Sequence, residues 1–209
     1  MTGIILETEH QITEAAEALA ARHPAFAPAL AVCGPLPLRR VPDGFGALRD
    51  SIVGQQVSVA SARAIRARLD AAGLIEEAAV AGAGAEALRA CGLSRQKIRY
   101  LTALAEARLD YAALRGLTNE AVIAELIPLP GIGRWTAEMY LMFALGRADV
   151  FAPDDLALAE AARMLFGLPD RPRPRAFADL AEPWAPWRAV AARLLWAYYA
   201  HTKRREGVG

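Results

Sequence analysis

Two short runs in this 209-residue chain combine residue types that do chemistry: Leu129-Pro130-Gly131-Ile132-Gly133-Arg134-Trp135-Thr136-Ala137 and Val150-Phe151-Ala152-Pro153-Asp154-Asp155. Two glycines one residue apart, after a proline and before helix-favouring residues, predict a tight hairpin between two helices. Such glycines take left-handed dihedrals at little cost and let a ligand reach the backbone N–H groups. The helix predicted from Arg134 adds unbonded amides and the positive end of its dipole. Together these features make an anion seat, and phosphate is the anion they fit best. That helix is expected to run to about Leu145, where Gly146-Arg147 ends it. The chain then sets two adjacent carboxylates at the start of the next helix. A carboxylate there either caps the helix or, in a water-poor site, stabilises positive charge developing on a substrate.

The elements that must position these runs read as helices throughout. Thr8-x-x-Gln11 is a capping-box start for a helix over 9–22. Residues 24–46, rich in Pro and Gly, form an irregular connection with one short helical piece near 27–32. Apolar residues recur at helical spacing over 45–72, with Ser58 placed to cap a second helix inside that span. Further helices are predicted at 76–81, 85–90, 95–114 (capped by Ser94), 119–126 (capped by Thr118), 134–145, 155–166 and 176–182. A last one runs from Pro186, a favourable first helical residue, to about residue 204. Nothing reads as a strand, and no internal repeat is found.

Composition narrows the classes. Lys and Arg number 24 against 23 Asp and Glu, so the net charge of +1 says nothing by itself about nucleic acid. Clusters say more: Arg95-Lys97-Arg99, Arg171-Arg173-Arg175 and Lys203-Arg204-Arg205 are each either phosphate contacts or plain solvated faces. No apolar run reaches the length of a membrane span, and no secretory signal is visible at the N-terminus. Cys33 and Cys91 imply no disulfide framework, which fits a reducing, cytoplasmic setting. His10, His23 and His201 show no metal-ligand spacing.

On the hairpin, the Val-Phe-x-Pro-Asp-Asp turn, the Ile52-Val53-Gly54-Gln55-Gln56-Val57-Ser58 segment, and Trp184, Trp187 and Trp196, the chain resembles the helix-hairpin-helix (HhH-GPD) DNA glycosylases, in particular the 3-methyladenine DNA glycosylase II group. The resemblance spans roughly residues 45–200. It implies an all-α fold of two helical lobes with the active site in a cleft between them. The stretch 1–44 would pack with the C-terminal helices, and 45–209 would form the glycosylase body. The chain reads as a compact form without the N-terminal β-domain of longer bacterial relatives. Two cysteines are also too few for the four-cysteine iron–sulfur cluster of the endonuclease III branch.

The resemblance also implies roles. Asp155 matches the catalytic aspartate, which would stabilise an oxocarbenium-like sugar as the N-glycosidic bond breaks; Asp154 is cap or support. Where the bifunctional branch has a lysine nucleophile, this chain has Trp135, which forms no imine, so base release should be hydrolytic and leave an abasic site uncut. Trp135 and Trp196 match aromatic positions of the base pocket, where stacking and cation–π attraction recognise alkylated purines; the alternative for both is core packing. Met139, near a tyrosine of the best-known relatives, and the neighbouring Tyr140 are also expected in the base pocket. Gln55 and Gln56 fall where the family inserts a wedge after base flipping, Gln56 at the wedge position itself; otherwise they simply end a helix. Thr136 and the amides of Gly131, Gly133 and Arg134 would hold phosphate. The Leu129 and Ile132 carbonyls would bind, at most, a structural monovalent cation. No cofactor is expected. The implied partner is double-stranded DNA with alkylated bases, bound by a monomer away from any membrane. Trp184 and Trp187 are assigned to packing.

Overall fold

The computed structural model describes the main chain of residues 3–206 and the side chains through Lys203. In chain order the helices are α1 (Glu9–Arg22), α2 (Ala27–Cys33), α3 (Phe45–Gly54), α4 (Val59–Ala71), α5 (Glu77–Gly82), α6 (Ala85–Ala90), α7 (Arg95–Glu106), α8 (Tyr111–Gly116), α9 (Asn119–Leu126), α10 (Arg134–Met139), α11 (Leu156–Leu165), α12 (Pro174–Ala181) and α13 (Arg188–Glu206). Among the described residues there is no strand, only an isolated bridge between Ile5 and Arg147. The fold is all-α, as expected. The chain divides into two compact units: Val41–Tyr140, and the residues up to Arg40 together with those from Leu141 onward.

In the unit made from both ends of the chain, α13 packs on α1, α2 and α11. Its core holds Ile12 and Leu19 of α1, Leu158 and Ala162 of α11, and Val190, Leu194 and Leu195 of α13, all essentially inaccessible. Trp184 sits at the centre of an aromatic cluster, with Phe26 at 5.1 Å, Phe151 at 5.5 Å and Phe166 at 5.8 Å between ring centroids. Phe151 also meets Phe177 edge to face at 4.9 Å. Edge-to-face pairs of this kind add about 0.5–1.5 kcal/mol each beyond burial. Because Phe151 lies four residues before Asp155, this cluster anchors the turn that carries the carboxylates.

In the other unit, α7 packs against α3, α5 and α6, and α9 against α10. Leu48, Ile52, Leu69, Leu88, Leu101, Leu104 and Leu126 fill its interior. The predicted caps form here as side-chain bonds: Ser58 accepts from the Ser61 amide, Ser94 from Lys97 and Thr118 from Ala121.

Three predicted elements differ. The single helix over 95–114 is two: the chain turns left-handed at Arg108 (φ 46°), and Asp110 starts α8 by accepting from the Ala113 amide at 2.9 Å. The helix over 134–145 stops being α-helical at Met139 and continues as a wider π-turn through Ala144. Pro186 is not a first helical residue, because Glu182–Trp184 form a 3₁₀ turn and the Trp187 amide bonds back to Trp184 at 2.8 Å. α13 therefore starts at Arg188. Arg204 and Arg205, expected in a basic cluster, lie outside the described side chains.

Candidate active site

The hairpin takes the form its glycines require. Leu129 bonds back to the Leu126 carbonyl, and Ile132 to that of Leu129, closing a tight turn before α10. Gly131 has φ +87°, and a Cβ there would lie 2.3 Å from the Tyr100 ring, so conformation and space both demand glycine. Gly133 caps α10 without a side-chain bond, its carbonyl accepting from Ala137, and open space surrounds its would-be Cβ. The amides of Gly131, Gly133, Arg134 and Thr136 donate to no acceptor among the described residues. Four such donors lie around an exposed turn, an arrangement chemically able to hold an anion.

Side chains refine this picture. The Arg134 guanidinium pairs with Glu120 and Glu138, each at 3.0 Å, so Arg134 offers the seat its amide while its charge is spent on carboxylates. Thr136 is buried at 5% exposure, which turns its hydroxyl away from solvent. Gln55, at the end of α3, donates from Nε2 to the Gly131 carbonyl at 2.8 Å and braces the turn from behind. Gln56 follows at a left-handed φ of 54° and is exposed.

Trp135, on the first turn of α10, is 41% exposed, so it is not a core residue. Met139, one turn on, is half-buried. Tyr140 is buried, and its hydroxyl bonds to the Asp43 carboxylate, which Arg115 also grips. Burial and that carboxylate push the Tyr140 hydroxyl far above its ordinary pKa. Tyr140 is therefore a structural hydrogen-bond donor. Sequence reasoning missed the Tyr140–Asp43–Arg115 linkage, which no local pattern announces.

In the other unit, Asp155 caps α11. Its Oδ1 accepts from the Ala157 and Leu158 amides, both at 2.9 Å, and its own amide bonds to Ala152. The residue is half-buried whereas Asp154 is exposed. Capping and catalysis are not exclusive: the two amides fix the direction of the carboxylate.

Trp196, half-buried on α13, stacks on Phe143 at 5.9 Å and lines a cavity of about 290 Å³. Arg193 lies on the same wall, 5% exposed, with its guanidinium 4.8 Å from the Phe143 ring centroid. It donates to the carbonyls of Ala189, Leu38 and Met142 and has no carboxylate partner among the described residues. Burial first, then Arg39 and Arg40, pull its pKa down to about 10. The charge of this cavity had no signal in the sequence. Among the described residues no group of His, Cys, Asp or Glu is placed to hold a metal ion, and no helix is long and apolar enough to cross a membrane.

An all-helical chain with a Gly-x-Gly hairpin and a capped aspartate defines a class, and comparison with known proteins supplies its family. Residues 50–186 match the HhH-GPD superfamily base excision DNA repair proteins, and the chain belongs to that family. It is 40% identical over 116 residues to the DNA-3-methyladenine glycosylase 1 of Schizosaccharomyces pombe, covering 53% of this chain and 51% of that protein. The chain thus spans about half the length of the curated relatives it matches. Among solved structures, a DNA-3-methyladenine glycosidase from Bacillus halodurans superposes with a TM-score of 0.80 at 33% identity, covering 89% of both chains. The S. pombe 3-methyladenine DNA glycosylase Mag1, in complex with abasic DNA, gives 0.74 at 30% identity, covering 88% of this chain and 95% of that one.

Proposed function

We propose that the protein is a monofunctional DNA glycosylase that hydrolyses the N-glycosidic bond of alkylated purines, 3-methyladenine and 7-methylguanine, in double-stranded DNA. It acts as a monomer and without a cofactor, and leaves an abasic site. The observation that carries the reading is Asp155, a carboxylate fixed by two amides at the head of α11 in a chain of this family. A fixed negative charge stabilises the sugar as it becomes cationic without reorganising at the moment of reaction. The names of the relatives, 3-methyladenine glycosylases from yeast and bacteria, support the substrate class, and the Mag1 complex supports DNA as the partner.

Around this chemistry, the four hairpin amides grip the sugar-phosphate chain, with Gly131, Gly133, Arg134 and Thr136 contributing main chain. The Leu129 and Ile132 carbonyls are the seat for a monovalent ion at most. Trp135 stacks on the extruded base, with Met139 one helical turn away on α10. Gln56 fills the gap left in the duplex, while Gln55 holds the hairpin. Trp135 stands where a lyase needs an amine, so the strand stays intact.

The test is a panel of lesion duplexes treated with wild type and Asp155→Asn and scored with and without alkali. Release of methylpurines by wild type alone, with nicks only after alkali, is expected. Alkali-independent nicking overturns the monofunctional assignment.

A second reading, removal of neutral damaged bases, is favoured by the cavity around Trp196. Among the described residues Arg193 there has no carboxylate partner, and Arg39, on the same wall, makes no hydrogen bond or ion pair. A positive wall repels a cationic purine and attracts the carbonyl oxygen of a deaminated one. The same panel separates the two: Arg39→Ala raises the ratio of methylpurine to hypoxanthine release only if this wall meets the base.

A further inference from the structure

Two long-range polar bonds join the same pair of segments at opposite ends. Just past α3, Gln55 donates to the carbonyl of Gly131, in the turn before α10. Just ahead of α3, the Asp43 carboxylate accepts from the hydroxyl of Tyr140, the first residue past α10. The two segments therefore run in opposite directions and are tied once at each end. All four residues belong to the Val41–Tyr140 unit. Trp135 lies between the ties, four residues after Gly131 and five before Tyr140.

The Tyr140 tie is held from several sides. Tyr140 is buried, and the Asp43 side chain is only 11% exposed. Arg115, on α8, donates to the second oxygen of the same carboxylate at 2.5 Å, and the Gly44 amide donates to the phenol oxygen. α10 needs an anchor of this kind. It has only six residues, too few for a helix to stand on its own hydrogen bonds, and from Tyr140 the backbone widens into the π-turn. The Arg134–Glu120 pair fastens its first turn to α9. The bond from Tyr140 to Asp43 fastens its end.

We propose that Asp43 and Tyr140 are positioning residues, whose bond fixes the lie of α10 and through it the place of the Trp135 ring that meets the extruded base. The proposal rests on the glycosylase reading above. It divides the work between the two ties. Gln55 backs the amides that grip the sugar-phosphate chain, whereas Asp43 and Tyr140 set the ring that contacts the base. Loss of the second tie should therefore appear in base release and not in affinity for duplex in general.

The experiment is a double-mutant cycle on single-turnover release of 7-methylguanine by wild type, Tyr140→Phe, Trp135→Ala and the double variant. The Kd of each for an undamaged duplex is measured alongside, at a temperature below every melting transition. Tyr140→Phe should slow release about 3–10-fold, because a displaced ring keeps only part of its stacking, and leave Kd within about twofold of wild type. In the Trp135→Ala background the same change should alter the rate by less than about twofold, since the ring it places is gone. Asp43→Asn keeps an acceptor for the phenol and should release base nearly as fast as wild type, while Asp43→Ala should match Tyr140→Phe. If Tyr140→Phe does not fold, Asp43→Ala takes its place in the cycle. Equal slowing with and without Trp135 overturns the proposal, because general loosening of the fold gives that result. Wild-type release by both Tyr140→Phe and Asp43→Ala overturns it too, as does a Kd that weakens in step with the rate. A wild type that releases no base from the lesion panel is a failure of the glycosylase reading itself. Release by wild type with Trp135→Ala equally fast removes only the stacking role of Trp135 and this proposal with it.

Discussion

The Gln55 side-chain amide donates to the Gly131 carbonyl across 76 residues of sequence, so the corner after α3 and the tip of the hairpin move as one piece. Removing that donor leaves a half-buried carbonyl to find water. Gln55→Ala should cost about 1 kcal/mol of stability, read as a small loss of Tm. It should also weaken binding to any duplex, damaged or not, because the hairpin amides lose their backing. Gln55→Glu, which sets a carboxylate against the carbonyl, should weaken binding further. An affinity loss confined to damaged duplexes would instead place Gln55 at the lesion.

Asp155 offers a separation of fold from chemistry. Asparagine caps helices about as well as aspartate, so Asp155→Asn should keep the Ala157 and Leu158 bonds and melt near wild type. Without the charge, base release in single turnover should fall by about 10²–10³-fold, the scale of losing one preorganised electrostatic group, while affinity for abasic duplex is retained. Asp155→Ala should lose the cap as well, about 1 kcal/mol, or a few degrees of Tm for a chain this size. Equal loss of Tm in both variants would make the carboxylate a structural group.

The two hairpin glycines should respond in opposite ways. Gly131→Ala places a Cβ 2.3 Å from a ring carbon of Tyr100 at φ +87°, so the variant should be destabilised by more than the about 1–2 kcal/mol of the left-handed dihedral alone. Gly133→Ala meets open space at an ordinary φ of −89° and should melt like wild type. Gly133→Asp should also fold, yet bind all duplexes more weakly, because it sets a carboxylate among the amides that face phosphate. Wild-type DNA affinity in Gly133→Asp would mean that the hairpin does not contact the backbone.

Local chemistry was legible in the sequence and long-range chemistry was not. Thr8, Ser58, Ser94 and Thr118 announce their helices because a cap acts within three residues, and each is found capping. The break at Arg108 was hidden, since the strain of one left-handed residue leaves no mark on an apolar pattern. Pro186 suggested a helix start, but the buried Trp184 holds the preceding turn and delays α13 by two residues. The Gln55–Gly131 bond, the Asp43 carboxylate under Tyr140 and the positive wall beside Trp196 all join residues far apart in sequence. Only coordinates bring them together.

Trp135 carries the last prediction. With 41% of its surface exposed, the ring contributes little to the core, so Trp135→Ala should shift Tm only slightly. If the exposed face stacks on the extruded base, losing it removes about 0.5–2 kcal/mol of cation–π attraction. That should slow release of 7-methylguanine by about 2–30-fold, with a smaller effect on a neutral base of the same size. The position also decides the reaction's end point, since indole is no nucleophile toward the sugar. Borohydride added during turnover should trap no covalent adduct with DNA. A trapped adduct would direct attention to Lys97 and Lys203, the two lysines of the chain. Lys97 already donates to the Val53 carbonyl, and burial lowers its pKa, so its replacement by methionine would then be the variant to show the adduct lost.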